Sequence, residues 1–235
     1  MTFEELAKKV AEIPHLDLGI QFDSNIMLEE VEAVGVEAFK PYNSLIPSIN
    51  KMVSESWHGF SLLSSDGSIY NDLKEDNEFD SRVMSRTLVA DHFPYTMRAI
   101  NTLSDENCRA RIMKINPGGR LSWHSHQFDF VKYNPDNIVV HVPILVPEKF
   151  RYCVISVRDF RLGDIENEGL KVYSQNYGAG RATLFNNVHM HNVFNDDEFP
   201  RISLMLNLKL SQPKTFEIVK NAVEKYDGPL LKMDI

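Results

Sequence analysis

The chain has 235 residues, of which 43% are hydrophobic and 25% charged, which is typical of a globular protein that buries a full core. The formal net charge is -8 and no run of Lys and Arg forms a stripe, which argues against general nucleic-acid binding. No stretch approaches the ~20 apolar residues that span a bilayer, and two cysteines are too few for a disulfide framework. From the helical pattern of the first residues we expect no signal peptide. We expect a cytoplasmic protein without a membrane partner.

The first 105 residues show a mixed, largely helical pattern. Thr2 and Glu5 have the spacing of a capping box, and an apolar stripe at helical spacing follows them. Helices are predicted over residues 2–13, 25–39, 44–55 and 93–103, and a strand over residues 57–63. We expect this part to cover a sheet formed by the rest of the chain.

From Cys108 onward the pattern changes to short β runs separated by Pro, Gly, Asn and Asp. Strands are predicted over residues 108–115, 137–146, 151–157, 170–177, 181–186 and 201–210, and an amphipathic helix over residues 214–226. Many short strands in succession are typical of a sandwich or jelly roll. The predicted fold class is therefore mainly β with flanking helices (α+β).

The sequence contains no internal repeats, low-complexity tracts or linkers, and so predicts a single domain over residues 1–235. Within it we expect a helical covering part (1–105), a β core (106–210) and a C-terminal helical segment (211–235).

Two histidine clusters lie in the β part. The first contains His124, His126 and Asp129, and the second contains His189 and His191. Residues two apart on a strand project to the same face, so each cluster can direct imidazoles into one cavity. Two His and one carboxylate on one face are typical of non-haem Fe(II) oxygenases, and the sequence therefore predicts a metal site. His189 is the weakest candidate: we expect it to support a ligand or to be exposed.

The strand predicted to begin at Arg201 alternates apolar and polar residues, so Arg201 and Ser203 share a face. A guanidinium can bind a carboxylate through two parallel hydrogen bonds, and a hydroxyl two residues on can add a third. These residues are candidates to hold a dicarboxylate cosubstrate. The alternative is an arginine that flanks the strand and is salt-bridged to the acids at 196–198.

Together these motifs resemble the aspartyl/asparaginyl β-hydroxylase family of 2-oxoglutarate-dependent Fe(II) dioxygenases. The resemblance covers about residues 108–210 and depends on the order and spacing of Pro117, Gly118, His124, the Val-His-Val-Pro segment around His141, Gly180, the Leu-Phe-Asn-Asn run before His191, and Arg201. It implies a double-stranded β-helix of the jelly-roll kind. It also implies hydroxylation of an unactivated C–H bond with Fe(II), 2-oxoglutarate and O2.

The resemblance further implies roles for individual residues. His124 and His191 match the iron ligands, and Arg201 matches the residue that holds 2-oxoglutarate. His141 matches a histidine that assists cosubstrate binding, and Ser203 recreates an Arg-x-Ser pair common among other 2-oxoglutarate oxygenases.

The third iron ligand stays open. Two positions after the first ligand, relatives carry Asp or Gly, whereas this chain has His126. A three-histidine site with His126, a carboxylate from Asp129 if the loop bends back, and a water are the alternatives.

The family resemblance allows an amino acid, a peptide or protein side chain, or another small molecule with a carboxylate as substrate, and leaves the oligomeric state open. The basic residues that could meet an acidic group are Arg109, Arg111, Lys132, Arg158 and Arg161. We expect each of them to be a solvated charge on a strand face or loop.

Two other interpretations compete with the dioxygenase. A cupin-type enzyme or binding module would bind metal without 2-oxoglutarate, and the spacing of Gly118, His124 and His126 fits much of the cupin pattern. However, the usual cupin glutamate is missing from residues 127–131, and Arg201 has no role in a cupin. A catalytically inactive relative that serves as a binding scaffold is the third interpretation, and it predicts poor iron affinity.

Overall fold

The computed structural model describes residues 1–42, 56–70, 84–105, 107–124, 135–155 and 172–231. Its α-helices are α1 (Phe3–Glu12), α2 (Ser24–Val34), α3 (Pro94–Leu103) and α4 (Pro213–Glu224), with short 3-10 helices at Val36–Ala38 and Leu88–His92. Its strands are β1 (His15–Gln21), β2 (Lys40–Pro41), β3 (Trp57–Ser64), β4 (Ser85–Arg86), β5 (Arg109–Ile115), β6 (Arg120–His124), β7 (Asn137–Leu145), β8 (Phe150–Ile155), β9 (Tyr173–Gln175), β10 (Arg181–Phe185), β11 (Met190–Asn195) and β12 (Arg201–Lys209). No helix among these residues is long and apolar enough to cross a membrane.

The strands form two antiparallel sheets. Within the described ranges the larger sheet has eight strands in the order β1-β10-β7-β12-β5-β3-β2, with β4 paired to β3. The smaller sheet has four strands in the order β6-β11-β8-β9. From β5 to β12 the chain passes repeatedly between the sheets, as in a double-stranded β-helix, which confirms the predicted mainly β jelly-roll class.

The helices pack on the outer face of the larger sheet. Alternate residues of its central strands, such as Ile112, Leu204 and Leu206, are fully buried there in one cluster with Leu6 of α1 and Val219 of α4. Burying a side chain of this size contributes about 1.5–3 kcal/mol, so these contacts hold the helices against the sheet. The predicted C-terminal helix therefore packs on the outside of the larger sheet.

Local signals explain where the first helices begin and end. Thr2 and Glu5 form the predicted capping box, in which each side chain accepts a hydrogen bond from the other residue's backbone N–H. Helix α2 ends at Val34 rather than at the predicted residue 39, because Gly35 has a φ of 85° that helical residues do not adopt. The helix predicted over residues 44–55 lies outside the described residues.

The other alternate residues of the sheet strands point between the two sheets. A second buried cluster forms there, and its aromatic members include Phe150, Tyr152, Tyr177 and Phe185. This space also receives the buried polar residues His141 and Arg201. The space between the two sheets is thus lined by aromatic and polar side chains. The helices cover the opposite face of the larger sheet.

The predicted ranges do not include β1 and β11, nor the shorter β2, β4 and β6. In β1 the alternation of Leu16, Leu18 and Ile20 is a strand signal, and β1 pairs with β10 at the end of the larger sheet. Strand β11 contains the second histidine cluster and lies between β6 and β8. The proposed division into covering part, β core and C-terminal segment stays a prediction.

Candidate metal centre and cosubstrate site

His124 and His191 face each other across two paired strands. His124 is the last residue of β6, and the antiparallel register places it directly opposite His191 of β11. Their ring centroids are 4.1 Å apart, with the ring planes at 56°. Directly opposite residues have Cβ atoms about 4.5–5.5 Å apart, so sheet register alone brings these imidazoles together. Two imidazoles at this separation can bind a single ion.

The backbone fixes the orientation of one of these rings. His191 is 3% exposed, and its Nδ1 lies 2.8 Å from the carbonyl oxygen of His189. A carbonyl only accepts, so Nδ1 carries the proton and Nε2 carries the lone pair that a metal requires. This is the arrangement in which histidines usually bind metals.

His189 has a structural contact. It is completely buried, which excludes an exposed position, and its Nε2 donates a 2.8 Å hydrogen bond to the carbonyl oxygen of Ala11 in α1. Burial lowers the pKa of His189, so this side chain is neutral at pH 7. His189 therefore joins the second histidine cluster to the N-terminal helix, while its carbonyl orients His191.

The candidates for the third ligand, His126 and Asp129, lie outside the described residues. Among the residues that are described, no group of three or more His, Cys, Asp and Glu side chains could hold a metal ion. The described part of the site therefore consists of a histidine pair.

Arg201 is buried inside the jelly roll. It is 2% exposed, and its Nη1 donates a 2.8 Å hydrogen bond to the Ser203 hydroxyl. Its guanidinium carbon lies 4.7 Å from the ring centre of Phe150 and 4.9 Å from that of Tyr152. The alternative of a salt bridge to the nearby acids is wrong, since Arg201 forms no ion pair with any of the three and Asp196 instead pairs with Arg120.

The charge of Arg201 lacks a protein counter-ion in the described part of the chain. Its Nη2 is buried without a hydrogen-bond partner there, and no described carboxylate lies within ion-pair distance. Burial lowers the pKa of Arg201, although an arginine stays protonated. A buried cation with an unused donor is costly unless an anion pairs with it. This guanidinium is therefore suited to receive a carboxylate.

His141 lies in the same interior. It is 3% exposed, and its Nδ1 shares a 3.2 Å hydrogen bond with the hydroxyl of Tyr152. Burial and the nearby cations Arg201 and Arg111 lower the pKa of His141 well below its usual value, and burial raises the pKa of Tyr152 to about 12. At neutral pH both groups are uncharged, so they can form hydrogen bonds to a ligand without adding a charge.

Sequence reasoning missed the aromatic residues that connect the two parts of the site. The Phe185 ring lies 5.0 Å from His191, 5.0 Å from Tyr152 and 5.8 Å from His141. Tyr152 in turn stacks on Tyr177 at 4.9 Å. Tyr152, Tyr177 and Phe185 lie within predicted strands, but only the sheet pairing shows which rings meet.

Two arginines expected in solvent are buried. Arg109 is 8% exposed and Arg111 is 3% exposed, so the prediction of solvated strand-face charges is wrong for both. The central strand β5 of the larger sheet is buried on both faces, so a polar residue on it is not in solvent. Lys132, Arg158 and Arg161 lie outside the described residues.

Comparison with known proteins gives the family. The profile of aspartyl/asparaginyl β-hydroxylases matches residues 22–210, which is more than half of the chain. The chain belongs to the aspartyl/asparaginyl β-hydroxylase family. This family member contains the buried arginine and the histidine pair within the matched segment. A search of the curated proteins gave no match.

Solved structures are similar to this aspartyl/asparaginyl β-hydroxylase family member at low sequence identity. The epimerase SnoN, in complex with Fe3+, alpha ketoglutarate and nogalamycin RO, has a TM-score of 0.51 and 11% identity over 97% of this chain and 93% of its own. An oxidoreductase of the 2OG-Fe(II) oxygenase family from Burkholderia pseudomallei has a TM-score of 0.49 and 13% identity over 90% of this chain and 92% of its own. At these identities the similarity to SnoN shows a common fold.

Proposed function

We propose that this protein is a 2-oxoglutarate- and Fe(II)-dependent dioxygenase. It hydroxylates an unactivated C–H bond of an amino acid, a peptide or protein side chain, or another small molecule. Family membership supports the class of reaction. The observation that carries the proposal is the presence, inside one jelly roll, of the His124–His191 pair and the buried guanidinium of Arg201.

The donor set fits Fe(II). Imidazole nitrogen suits this ion, and the carbonyl that accepts from Nδ1 of His191 is the kind of support that metal-binding histidines use. His124 and His191 are the proposed protein ligands, completed by His126, by Asp129 or by a water. When bound, the ion would supply the oxidative chemistry in which O2 converts 2-oxoglutarate to succinate and CO2 and hydroxylates the substrate.

The buried arginine fits a dicarboxylate. Nη2 of Arg201 has no partner in the described residues, and Ser203, whose oxygen accepts from Nη1, can donate its own hydrogen to an anion. Phe150 and Tyr152 hold the guanidinium through their ring faces, so it is positioned without being neutralised. These residues are proposed to bind the carboxylate of 2-oxoglutarate that is distant from the metal.

The neighbouring side chains would orient the cosubstrate and exclude water. His141 is neutral and hydrogen-bonded to Tyr152, so it can form a further hydrogen bond to the cosubstrate without competing with Arg201 for its charge. The rings of Phe185 and Tyr152 close the space between the histidine and the arginine. A dry cavity strengthens the electrostatic interactions made inside it.

Anaerobic addition of Fe(II) and 2-oxoglutarate tests the proposal. A keto acid chelated to ferrous iron gives a weak visible charge-transfer band, which we expect in the wild-type protein. His191→Ala should abolish the band through loss of metal, and Arg201→Ala should weaken it through loss of cosubstrate. Separate replacement of His126 and Asp129 would identify the third ligand.

The competing interpretations give different results in the same experiment. A cupin would bind Fe(II) while its spectrum stayed unchanged on addition of 2-oxoglutarate. An inactive scaffold would bind iron poorly in a direct titration. Either result in the wild-type protein would overturn the proposed function.

A further inference from the structure

Arg111 lies on the interior face of the larger sheet. Pairing of β5 with β12 places Arg111 opposite Met205, and Met205 lies opposite His141 of β7. On the other side, pairing of β3 with β5 places Ser61 opposite Arg111. Residues paired across an antiparallel sheet share a face, so Arg111 and Ser61 point into the same interior as His141.

The charge of Arg111 has no counter-ion in the described ranges. Its Nη2 donates to the Asn207 side-chain oxygen at 3.2 Å and contacts the Met205 sulfur at 3.5 Å, and its guanidinium lies 5.8 Å from the Tyr42 ring centre. Its Nε is buried without a hydrogen-bond partner, and no described acid forms an ion pair with it. An arginine that is 3% exposed and paired only with neutral groups is suited to bind an anion.

Ser61 supplies a second unused donor beside Arg111. It is completely buried, and its hydroxyl has no hydrogen-bond partner among the described residues. Buried polar groups are nearly always hydrogen-bonded, so two unsatisfied ones at directly paired positions point to a ligand. The N–H of Arg111 and the O–H of Ser61 together match the two oxygens of a carboxylate.

This place is separate from the arginine proposed for 2-oxoglutarate. Arg201 lies opposite Ile115, four residues along β5 from Arg111, which corresponds to roughly 13 Å between backbones at ~3.3 Å per residue. Asn207 accepts the hydrogen bond from Arg111 and lies opposite Val139 of β7. Val139 in turn lies opposite Phe185 of β10, so Asn207 and Phe185 lie at the same end of the larger sheet.

Phe185 also connects this end of the sheet to the histidine pair. Its ring contacts His191 at 5.0 Å. Along the strands, Arg111 is therefore nearer than Arg201 to the end of the larger sheet at which Phe185 contacts His191.

We infer that Arg111 and Ser61 form a second anion-binding subsite, and that it holds a carboxylate of the primary substrate. The inference rests on the proposed function and narrows its substrate class to carboxylates. The substrate C–H bond must be presented close to the metal, and an anchor at this end of the sheet is placed to do so.

Matched pairs of ligands test the subsite. The probes are N-acetyl-L-aspartate, N-acetyl-L-leucine and N-acetyl-L-phenylalanine, each compared with its α-carboxamide, added to protein that holds Mn(II) and 2-oxoglutarate. The readouts are the thermal unfolding midpoint and the dissociation constant. For at least one pair we expect the wild-type protein to bind the carboxylate more tightly than the amide.

Two variants and a control assign that preference to residues. Arg111→Met should weaken binding of the carboxylate by about 10- to 100-fold, the range for hydrogen bonds to charged groups, and Ser61→Ala should weaken it less. Both should leave the affinity for 2-oxoglutarate unchanged. Arg98→Gln removes the same charge from the exposed surface of α3 and should leave both affinities unchanged.

Several results would overturn the subsite. Amides that bind as well as carboxylates, or wild-type protein that binds none of the probes, would exclude it. Loss of 2-oxoglutarate affinity in Arg111→Met would assign Arg111 to the cosubstrate site instead. An unliganded Arg111→Met variant with a clearly lower unfolding midpoint would indicate a structural role.

Failure of the proposed function gives a different result. In that case the wild-type protein does not bind 2-oxoglutarate at all. The preference for carboxylate over amide can still be measured with the Mn(II)-treated protein and its Arg111→Met variant, and its presence would support the subsite alone.

Discussion

His191 of β11 lies directly opposite His124 of β6, and the two imidazole rings are 4.1 Å apart although many residues separate them along the chain. The pair depends on strand register, because a shift of one residue would turn one ring to the other face of the smaller sheet. Strand β11 is also paired with β8 on its other side, where His191 lies opposite Val154. His191 thus lies on a strand that is paired on both sides, and His124 lies on the strand paired with it. Placement of both ligands on paired strands suits the precise positioning of a metal.

Removal of either imidazole should abolish metal binding. We expect His124→Ala and His191→Ala to lower the affinity for Mn(II) by more than about 100-fold, since even residues that only support metal ligands contribute 10- to 100-fold. Isothermal titration measures the effect. His92→Ala removes an exposed histidine and should leave the affinity unchanged. Equal affinities in all four proteins would rule out the pair as the metal site.

Arg201→Met should separate binding from stability. The affinity for 2-oxoglutarate should fall by more than about 100-fold, because two hydrogen bonds to a charged group are lost. The free energy of unfolding without ligand should stay the same or rise, since the variant removes a buried cation that has no described counter-ion. Urea unfolding with and without 2-oxoglutarate measures both effects. A large loss of stability in the absence of ligand would show that Arg201 is a structural residue.

The aromatic rings beneath Arg201 should contribute through their faces. Tyr152→Leu removes a ring 4.9 Å from the guanidinium and should weaken 2-oxoglutarate binding by about ten- to thirtyfold, the size of a buried cation–π contact. Tyr152→Phe keeps the ring and loses only the hydrogen bond to His141, so its effect should be several-fold smaller. Competition binding of 2-oxoglutarate compares them. If the two variants lose the same affinity, the hydroxyl rather than the ring positions the arginine.

His15 should make the protein sensitive to mild acid. Burial lowers its pKa from 6.5 to about 4, and its Nδ1 shares a hydrogen bond with the Tyr177 hydroxyl. The unfolded chain therefore binds a proton more readily than the folded protein between these pH values. The stability contribution is complete above pH 6.5 and is lost as the pH falls to about 4, by about 3 kcal/mol in total.

Urea unfolding from pH 7.5 to 4 measures this loss. In His15→Gln the free energy of unfolding should depend less steeply on pH over the same range, because the titrating group is gone. An unchanged pH dependence in the variant would assign the acid sensitivity to other groups, such as the buried His141 and His189.

Local patterns in the sequence predicted much of the site. The alternation along β12 placed Arg201 and Ser203 on one face, and the structure joins them by a hydrogen bond. The two-residue spacing of His189 and His191 identified the second cluster. It could not show that His189 binds the backbone of α1, because that contact depends on how the helix packs against the strands.

Contacts that depend on sheet pairing could not be predicted in the same way. Phe150 precedes the strand predicted over residues 151–157 and Phe185 lies within another, and only pairing places one beneath Arg201 and the other beside His191. Arg111 was expected in solvent because an alternating polar residue usually faces water. Its contacts with Met205, Asn207 and Tyr42 instead lie inside the fold, and it is 3% exposed.

A crystal structure of the protein with Mn(II) and 2-oxoglutarate tests the central claim most directly. We predict one ion between the imidazoles of His124 and His191, with the carboxylate of 2-oxoglutarate that is distant from the metal bound to Arg201 and Ser203. An ion bound away from this histidine pair, or that carboxylate bound away from Arg201, would contradict the proposed site.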